Sequence, residues 1–350
     1  MLLDYRKEST LPGGWILAIA DDLTGALETG AKFASCGLAV RVTVELSVSA
    51  VPDVQVLVIN TESRHLPAME AARIIHEAAV SASRFSPWLI YKKTDSTLRG
   101  NIRSEFHALQ QVFSDRALIY APAYPEMGRT VKDGRLLLWG TPVHETAFAA
   151  DLWNPVYESD IRVLLGDLAV HILDGESSAD VREAAHLVMT SETPPFAAGP
   201  AALAEALAEC VYSPGERAHR WPSVSRCLVV NGSLHPASVG QIALARERGF
   251  FNADWKRLDC DVRGAGSERA AETGECVRRL LDSSPVEALI VFGGDTASGI
   301  HRALGAPAFE SYGEIMPGVP LSLCGGMFWV TKAGGFGEPD ILCQIRRRLT

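Results

Sequence analysis

Two adjacent carboxylates follow the first apolar run of the sequence, in the stretch "WILAIADDLTGALETG" from Trp15 to Gly30. A carboxylate beside a glycine-containing turn can accept a proton from a hydroxyl group, but it can also cap the helix that follows. Thr24 or Asp22 could cap a helix that starts near Gly25. Taken alone, the pair formed by Asp21 and Asp22 is as compatible with a structural turn as with a binding site.

A second charged stretch, "YKKTDSTLRGNI" from Tyr91 to Ile102, is the strongest local indication of a ligand site. Its candidate residues are Lys93, Asp95, Ser96 and Arg99. Lysine and arginine suit a carboxylate, whereas aspartate and serine suit hydroxyl groups, so the set is typical of a site for a polyhydroxylated anion. A solvated loop of the same composition is the structural alternative.

Two further stretches each supply an arginine after an apolar run. "NTESRHL" contains Arg64, and "APAYPEMGRTVKDG" contains Arg129 beside two prolines and a glycine. Arg64 could bind a carboxylate or phosphate in bidentate fashion, although an exposed loop arginine is the simpler interpretation of this stretch alone. His65 is interpreted as a loop residue, and for Arg129 a structural turn is equally compatible with the pattern.

Three glycine-rich corners occur in the second half of the chain: "NGSLHPAS", "FGGDTASG" and "TKAGGFG". None matches the P-loop pattern or the dinucleotide fingerprint G-x-G-x-x-G. Glycines nevertheless let backbone N–H groups approach a phosphate, and Thr296 begins a helix whose N-terminus could face an anion. Together the corners predict a nucleotide or phosphate site.

The elements that position these residues alternate between strand and helix. Strand-length apolar runs fall at 16–20, 40–44, 54–59, 88–91, 117–120 and 170–173, and helical patterns at 26–35, 67–84, 102–113, 179–189 and 201–210. This alternation predicts an α/β fold with a largely parallel sheet, in which ligands bind at the carboxyl ends of the strands. A turn at 132–134 predicts an antiparallel excursion.

The length of 350 residues predicts two domains. The stretch "YSPGERAHRWPS" lacks periodicity, and the alternation restarts after it, with helices predicted at 237–248 and 276–281. We therefore expect an N-terminal tail at 1–14, a substrate-binding domain at 15–212, a linker at 213–224 and a nucleotide-binding domain at 225–350. Each domain is predicted to be a largely parallel sheet flanked by helices.

Composition narrows the class of protein. A net charge of −9 argues against nucleic acid as the main partner, and 47% hydrophobic residues indicate a globular chain. The seven cysteines are scattered and contain no C-x-x-C pair, which is typical of reduced thiols. We find no signal region and no membrane-length apolar run, so we expect a cytoplasmic protein without a membrane partner.

Taken in order, the motifs resemble the four-carbon acid sugar kinase family, which includes threonate, erythronate and 3-oxo-tetronate kinases. The matching stretches are "IADDLTGALETG", "TESRHL", "YKKTDSTLRGNI", "APAYPEMGRTVKDG", "NGSLHPASVGQ", "FGGDTASG" and "VTKAGGFGEPDIL". They extend from Ile16 to Leu342, and the combination is specific although no single stretch is.

The resemblance implies a two-domain kinase that uses ATP and Mg²⁺ to phosphorylate a hydroxyl group, the terminal O4, of a sugar acid. It assigns to the substrate Asp22, Arg64, Lys93, Asp95, Ser96, Arg99 and Arg129. It assigns to the nucleotide Ser233, His235, Gly293, Gly294, Asp295, Thr296, Lys332, Gly334, Gly335 and Gly337. No metal ligand is assigned beyond the suggestion that Asp295 faces Mg²⁺, and a homodimer is a further expectation.

Within this reading, Asp22 and Asp95 are the candidates for the catalytic base, and Asp21 caps or braces the turn. His235 and Ser238 depart from the family pattern, in which a serine and a threonine occupy these positions, and the second domain is short. These departures motivate an alternative, a sensor that binds sugar acid and nucleotide without turnover. A dehydrogenase is disfavoured because the dinucleotide fingerprint is missing. The sequence does not select one tetronate or stereoisomer.

Overall fold

The computed structural model describes residues 14–191, 196–211, 221–258 and 266–350. The chain divides into two compact units, Met1–Pro214 and Gly215–Thr350. The predicted tail, apart from its last residue, and most of the predicted linker lie outside the described residues. Each unit is an α/β structure, which confirms the predicted fold class.

The first unit contains a parallel sheet and a small antiparallel one. The parallel strands are β1 (Ile16–Ala20), β2 (Val40–Thr43), β3 (Val56–Asn60), β4 (Leu89–Lys93), β5 (Leu118–Tyr120), β9 (Val170–Ile172) and β10 (Phe196–Gly199); the antiparallel strands are β6 (Arg129–Lys132), β7 (Arg135–Leu138) and β8 (Thr141–Pro142). In space the parallel strands follow the order β2-β3-β1-β4-β10-β5-β9. The turn between β6 and β7, with positive φ at Asp133 and Gly134, lies where the sequence predicts it.

Helices cover the parallel sheet of the first unit. They are α1 (Leu23–Ser35), α2 (Ala68–Ser83), α3 (Ile102–Val112), α4 (Ile161–Leu165), α5 (Ser178–Met189) and α6 (Ala201–Val211). All five residues of β1 are buried. Because a strand buried on both faces needs apolar side chains at every position, its sequence "ILAIA" is a continuous apolar run and does not alternate.

Strand β1 is the point at which the strand order changes direction. Strands β2 and β3 lie on one side of it, and the chain crosses to β4 on the other side. Ala20, the last residue of β1, pairs with Asn60 of β3 and with Lys93 of β4. The three strands therefore end at the same level, and the segments that follow them meet at one edge, the usual position of a ligand in such sheets.

The second unit contains a mixed sheet. Its strands are β11 (Cys227–Asn231), β12 (Trp255–Arg257), β13 (Ala288–Phe292), β14 (Phe309–Met316), β15 (Val319–Cys324) and β16 (Met327–Lys332), and its helices are α7 (Pro236–Glu247), α8 (Gly266–Ser283), α9 (Gly294–Ala303) and α10 (Ile341–Leu349). Strands β12, β11, β13 and β16 run parallel in that order, and β15 and β14 continue the sheet antiparallel. A core of residues from these elements packs beneath α7 and α10.

Helices α8 and α9 approach each other unusually closely. A Cβ atom at Gly274 would lie 2.4 Å from the carbonyl oxygen of Gly299, and one at Gly299 would lie 2.2 Å from the carbonyl oxygen of Ala270. Two glycines are thus needed at the helix contact.

Among the described residues, no helix combines the length and the apolar composition needed to span a lipid bilayer.

Candidate functional site

Arg64 is the centre of an acidic cluster at the carboxyl ends of β1, β3 and β4. Its Nε and Nη2 atoms donate to the two carboxylate oxygens of Asp21, both at 2.8 Å. Nη2 also donates to Asp22 at 2.8 Å, and Nη1 lies 3.8 Å from Asp95. The Arg64 side chain is only 10% exposed, so its interpretation as an exposed loop arginine is wrong.

Asp21 is buried against Arg64. Burial by itself would raise the pKa of Asp21, but the positive charges of Arg64 and two neighbouring lysines outweigh burial and lower the pKa to about 2. Asp21 therefore braces Arg64, and the capping role falls to the other aspartate of the pair.

Asp22 is the N-cap of α1. Its Oδ1 accepts the N–H of Gly25 at 3.1 Å and the Nη2 of Arg64 at 2.8 Å. Among the described residues, none donates to its Oδ2, and the side chain is 23% exposed. A Cβ atom at position 25 would lie 2.6 Å from Asp22 Oδ1 and 3.1 Å from Lys93 Nζ, so Gly25 lets the carboxylate and the ammonium group approach the helix end. Asp22 thus has both a structural bond and an open oxygen.

Both carboxylate oxygens of Asp95 accept hydrogen bonds. Its Oδ1 accepts from the backbone and hydroxyl of Thr97 at 2.9 and 2.5 Å and from Arg99 Nε at 3.1 Å, and its Oδ2 accepts from Arg99 Nη2 at 2.7 Å. Burial opposes the charge of Asp95, but Arg99 and Arg64 outweigh burial and hold its pKa well below the usual range. Asp95 therefore serves to fix the two arginines. Ser96 lies half-buried in the same turn.

Sequence reasoning missed a segment that covers Arg99. Asp151 lies 3.3 Å from Arg99 Nη1, and the ring of Phe148 lies 5.2 Å from the guanidinium carbon. Asp151 is itself held by the N–H groups of Trp153 and Asn154 at 3.0 and 2.9 Å. Nothing in the spacing of these residues indicates the contact, because it depends on the path of the chain after β8.

Two buried lysines lie beneath the cluster. Lys93 Nζ donates to the carbonyl oxygen of Thr94 at 2.9 Å. Lys92 Nζ, which is inaccessible to solvent, lies 2.9 Å from Glu105, and Glu105 accepts from Ser63 at 2.5 Å. This Lys92–Glu105–Ser63 network links β4 to α3 and to the loop after β3, and sequence reasoning did not identify it.

Arg129 lies at the start of β6, close enough to the cluster to sense its charges. Its Nη1 donates to the carbonyl oxygen of Met127, whereas its Nε is buried and has no hydrogen-bond partner among the described residues. Burial lowers the pKa of Arg129, which also senses the charges of Asp95 and Arg99. A buried donor without a partner is unusual in a native protein, so the hydrogen bonding of Arg129 is incomplete among the described residues.

Replacing Asp21 by asparagine is expected to alter the pH dependence of stability. Because its pKa is lowered from 3.8 to about 2 in the folded state, ionised Asp21 stabilises the protein above pH 3.8, and this contribution is lost as the pH falls through 2. The shift corresponds to about 2 kcal/mol. The difference in free energy of unfolding between wild type and Asp21→Asn, measured by urea titration, should therefore shrink as the pH falls. A constant difference would contradict the ion pair.

The three glycine-rich corners of the second unit lie side by side. They follow β11, β13 and β16, which are neighbours in the sheet, and Phe292 pairs with both Asn231 and Lys332. A Cβ atom at Gly232 would lie 1.7 Å from Thr296 Oγ1, so the first and second corners touch. The structure thus brings together the residues predicted to bind the nucleotide.

His235, at the position where the resembled pattern has a serine, is the N-cap of α7. Its Nδ1 accepts the N–H of Ala237 at 3.2 Å at the N-terminus of α7, and its own N–H donates to Ser233 Oγ at 3.2 Å. A Cβ atom at Gly335 would lie 3.2 Å from His235 Nε2, and one at Gly334 would lie 2.4 Å from Ser233 Oγ. The first and third corners are therefore also in contact.

Gly293 has φ of 108°, which favours glycine, and Gly294 begins α9 with Asp295 and Thr296 in its first turn. Gly337 has φ of 83°.

Lys332, the last residue of β16, is a charged residue in this part of the chain. It is buried, and burial lowers its pKa to about 8. Its ammonium group also lies 4.4 Å from the centre of the Phe292 ring.

Two family models match the chain. A sugar-binding N-terminal domain matches residues 16–169, and a nucleotide-binding C-terminal domain matches residues 256–342. A D-threonate kinase of Bordetella bronchiseptica is 30% identical over 403 aligned residues, covering 96% of this chain and 98% of that protein. The chain belongs to the four-carbon acid sugar kinase family. Other relatives in the family carry the names D-erythronate kinase and 3-oxo-tetronate kinase.

Solved structures share the fold of this chain. A Salmonella typhimurium LT2 protein has the same fold with a TM-score of 0.81 at 19% identity, covering 97% of this chain and 100% of that one. A Bordetella bronchiseptica protein, solved with bound citrate as a domain-swapped dimer, is 30% identical with a TM-score of 0.54, covering 96% and 98%. The 403 aligned residues exceed the 350 of this chain, so the D-threonate kinase contains segments that this family member lacks.

Proposed function

We propose that this family member transfers the terminal phosphoryl group of ATP to a hydroxyl group, the O4, of a four-carbon sugar acid such as threonate, erythronate or 3-oxo-tetronate. The observation that carries the proposal is the cluster around Arg64, where acids and cations from three neighbouring strands meet at one sheet edge. The cluster lies within the part that matches a sugar-binding domain.

The substrate carboxylate needs donors that the protein has not already satisfied. The Nε and Nη2 atoms of Arg64 already donate hydrogen bonds to protein carboxylates. Arg64 is therefore better suited to holding the cluster than to binding the substrate's carboxylate. Among the described residues, Arg129 Nε has no hydrogen-bond partner, and Lys93 Nζ donates to a single acceptor, the carbonyl oxygen of Thr94. We assign the substrate carboxylate to Arg129 and Lys93, with Arg99 beside them. Citrate in the Bordetella structure, an acid that also carries a hydroxyl group, supports a site of this chemistry.

Asp22 is the better candidate for the base. A base must accept the proton of the attacking hydroxyl within hydrogen-bond distance, and Asp22 Oδ2 has no donor among the described residues. Asp95 has both oxygens occupied and a strongly lowered pKa, so we assign it to positioning Arg99 and Arg64. Ser96, in the same turn, is available for a substrate hydroxyl.

The three corners of the second unit suit a nucleotide. Backbone N–H groups in glycine-rich loops bind phosphate oxygens, and phosphoryl transfer requires chiefly positioning and charge neutralisation. ATP would supply the phosphoryl group with Mg²⁺ neutralising its charge, and we assign Asp295, in the first turn of α9, to hold the ion. Ser233, His235, Gly293, Gly294 and Thr296 would line the phosphates.

The experiment is a phosphorylation assay with ATP and Mg²⁺ over both enantiomers of threonate and erythronate and their 3-oxo forms. D-Threonate is the first to test, because the 30% identical relative bears that name. We expect ADP release with at least one acid, and mass or NMR analysis locating phosphate on O4. Thermal stabilisation by an acid without ADP release would favour the sensor, for which the missing segments and His235 are the motivation.

A further inference from the structure

The loop after β16, residues 333–338, has its carbonyl groups held from inside the protein. Lys332 Nζ donates to the carbonyl oxygens of Ala333 and Gly334 at 2.9 and 3.1 Å and to Ser238 Oγ at 3.1 Å. Ser238 Oγ in turn donates to the carbonyl oxygen of Gly334 at 2.6 Å. The first half of the loop is therefore anchored by two side chains that are at most 1% exposed.

Gln241 holds the second half of the loop in the same way. Gln241 follows Ser238 by one turn of α7, and the Nε2 atom of Gln241 lies within hydrogen-bond distance of three consecutive carbonyl oxygens. These belong to Phe336 at 3.0 Å, Gly337 at 2.7 Å and Glu338 at 3.1 Å. Gln241 is 2% exposed, so like Lys332 and Ser238 it faces the interior.

The direction of the carbonyl groups fixes the direction of the amides. In a trans peptide the C=O of one residue and the N–H of the next point to opposite sides of the chain. The carbonyl groups of residues 333, 334, 336 and 337 point inward. The N–H groups of residues 334, 335, 337 and 338 therefore point outward. Within the described part of the chain, none of these four N–H groups has an acceptor.

We propose that Lys332, Ser238 and Gln241 are positioning residues that hold loop 333–338 as a phosphate-binding loop, presenting its N–H groups to the nucleotide. The inference rests on the proposed kinase function and changes the role of Lys332. Its ammonium group already has three protein acceptors, and only 1% of the residue is exposed, so it acts through the loop and does not contact phosphate directly. Outward N–H groups of successive residues form a concave anion site.

The test compares variants that keep or remove one donor. Ser238→Ala removes the hydroxyl, whereas Ser238→Thr keeps it, and threonine is the residue that the family pattern has here. Gln241→Met and Lys332→Met remove the other two donors at similar side-chain length. Lys256→Met is the control for Lys332, because Lys256 also donates to a hydroxyl, Ser284 at 2.8 Å, but on β12 away from the loop.

The expected result is a selective loss of nucleotide affinity. The KM for ATP and the Kd for ADP should rise ~3–10-fold in Ser238→Ala, the equivalent of one lost hydrogen bond, and by ~10-fold or more in Gln241→Met and Lys332→Met. The KM for the sugar acid at saturating ATP should change by less than about twofold, within ordinary surface-mutation scatter. Ser238→Thr and Lys256→Met should resemble the wild type.

Unchanged nucleotide constants in folded Ser238→Ala and Gln241→Met would overturn the inference. So would a loss of kcat and Tm with unchanged KM for ATP, since that pattern describes a smaller active fraction and not a displaced loop. Failure of the kinase proposal is distinguishable, because there the wild-type protein itself would neither bind ADP nor release it from ATP with any acid in the panel.

Discussion

Asp22→Asn is expected to lower kcat by about 10²-fold or more while the protein remains folded, since a positioned base contributes roughly 10²–10⁴-fold. Asparagine cannot accept the proton that we assign to Asp22 Oδ2. It does cap helices as well as aspartate, so the bond to the N–H of Gly25 should persist. Arg64 would retain both of its bonds to Asp21. The measurement is kcat at saturating ATP and acid, with Tm recorded in parallel.

Asp160→Asn is the matched control. Asp160 caps α4 in the same unit, accepting the N–H groups of Arg162 and Val163, and it lies outside the proposed site. Both asparagine variants should melt within a few degrees of the wild type, but only Asp22→Asn should lose turnover. An ordinary surface change alters turnover by no more than about threefold. If folded Asp22→Asn kept its turnover within that range of the wild type, Asp22 would not be the base.

Arg64→Met is expected to destabilise the protein by about 3–5 kcal/mol, the usual cost of removing one partner of a buried charge pair. Three carboxylates, those of Asp21, Asp22 and Asp95, would lose their shared cation. Activity should fall with stability, because the same bonds hold Asp22 Oδ1. Arg64→Lys should recover only part of either property, since an ammonium group cannot form the two parallel bonds to Asp21.

The control for this variant is Arg73→Met on α2. Arg73 also pairs with a carboxylate, Glu77 at 3.2 Å, but its side chain is 65% exposed. Exposed pairs contribute at most about 1 kcal/mol, so Arg73→Met should have a small effect on the free energy of unfolding. If urea titration gave the two variants similar losses, the central position of Arg64 would be wrong.

Much of the fold follows from local sequence patterns. Continuous apolar runs locate β1, β3 and the first part of β4, because strands covered on both faces bury every side chain. Strand β10, with the sequence "FAAG", was missed because small residues carry little β-strand signal. The pair β14 and β15 was also missed, although Gly325 and Gly326, both with positive φ, mark the turn into β16.

The sequence predicts that the charged residues of the candidate site lie close together, but it does not predict the bonds between them. Charged groups after three strands could be placed at one sheet edge, because parallel strands end together. Two features depend on strand register and side-chain direction: which aspartate caps the helix, and whether Arg64 faces solvent or three carboxylates. The residues involved are far apart in the chain, 43 positions in the case of Asp21 and Arg64. The contact between Asp151 and Arg99 depends on the path of irregular chain, which has no periodicity to interpret.

The charged side chains around the proposed acid site balance one another. The carboxylates of Asp21, Asp22, Asp95 and Asp151 are matched by the cations of Arg64, Lys93, Arg99 and Arg129. Such a neutral set projects little field into solvent, particularly beyond about 10 Å at ordinary ionic strength. These side chains therefore do little to attract an acid from a distance. The acid is selected after arrival by the directions of individual donors and acceptors, and dissolved salt should have little influence on the contribution of these side chains to its capture.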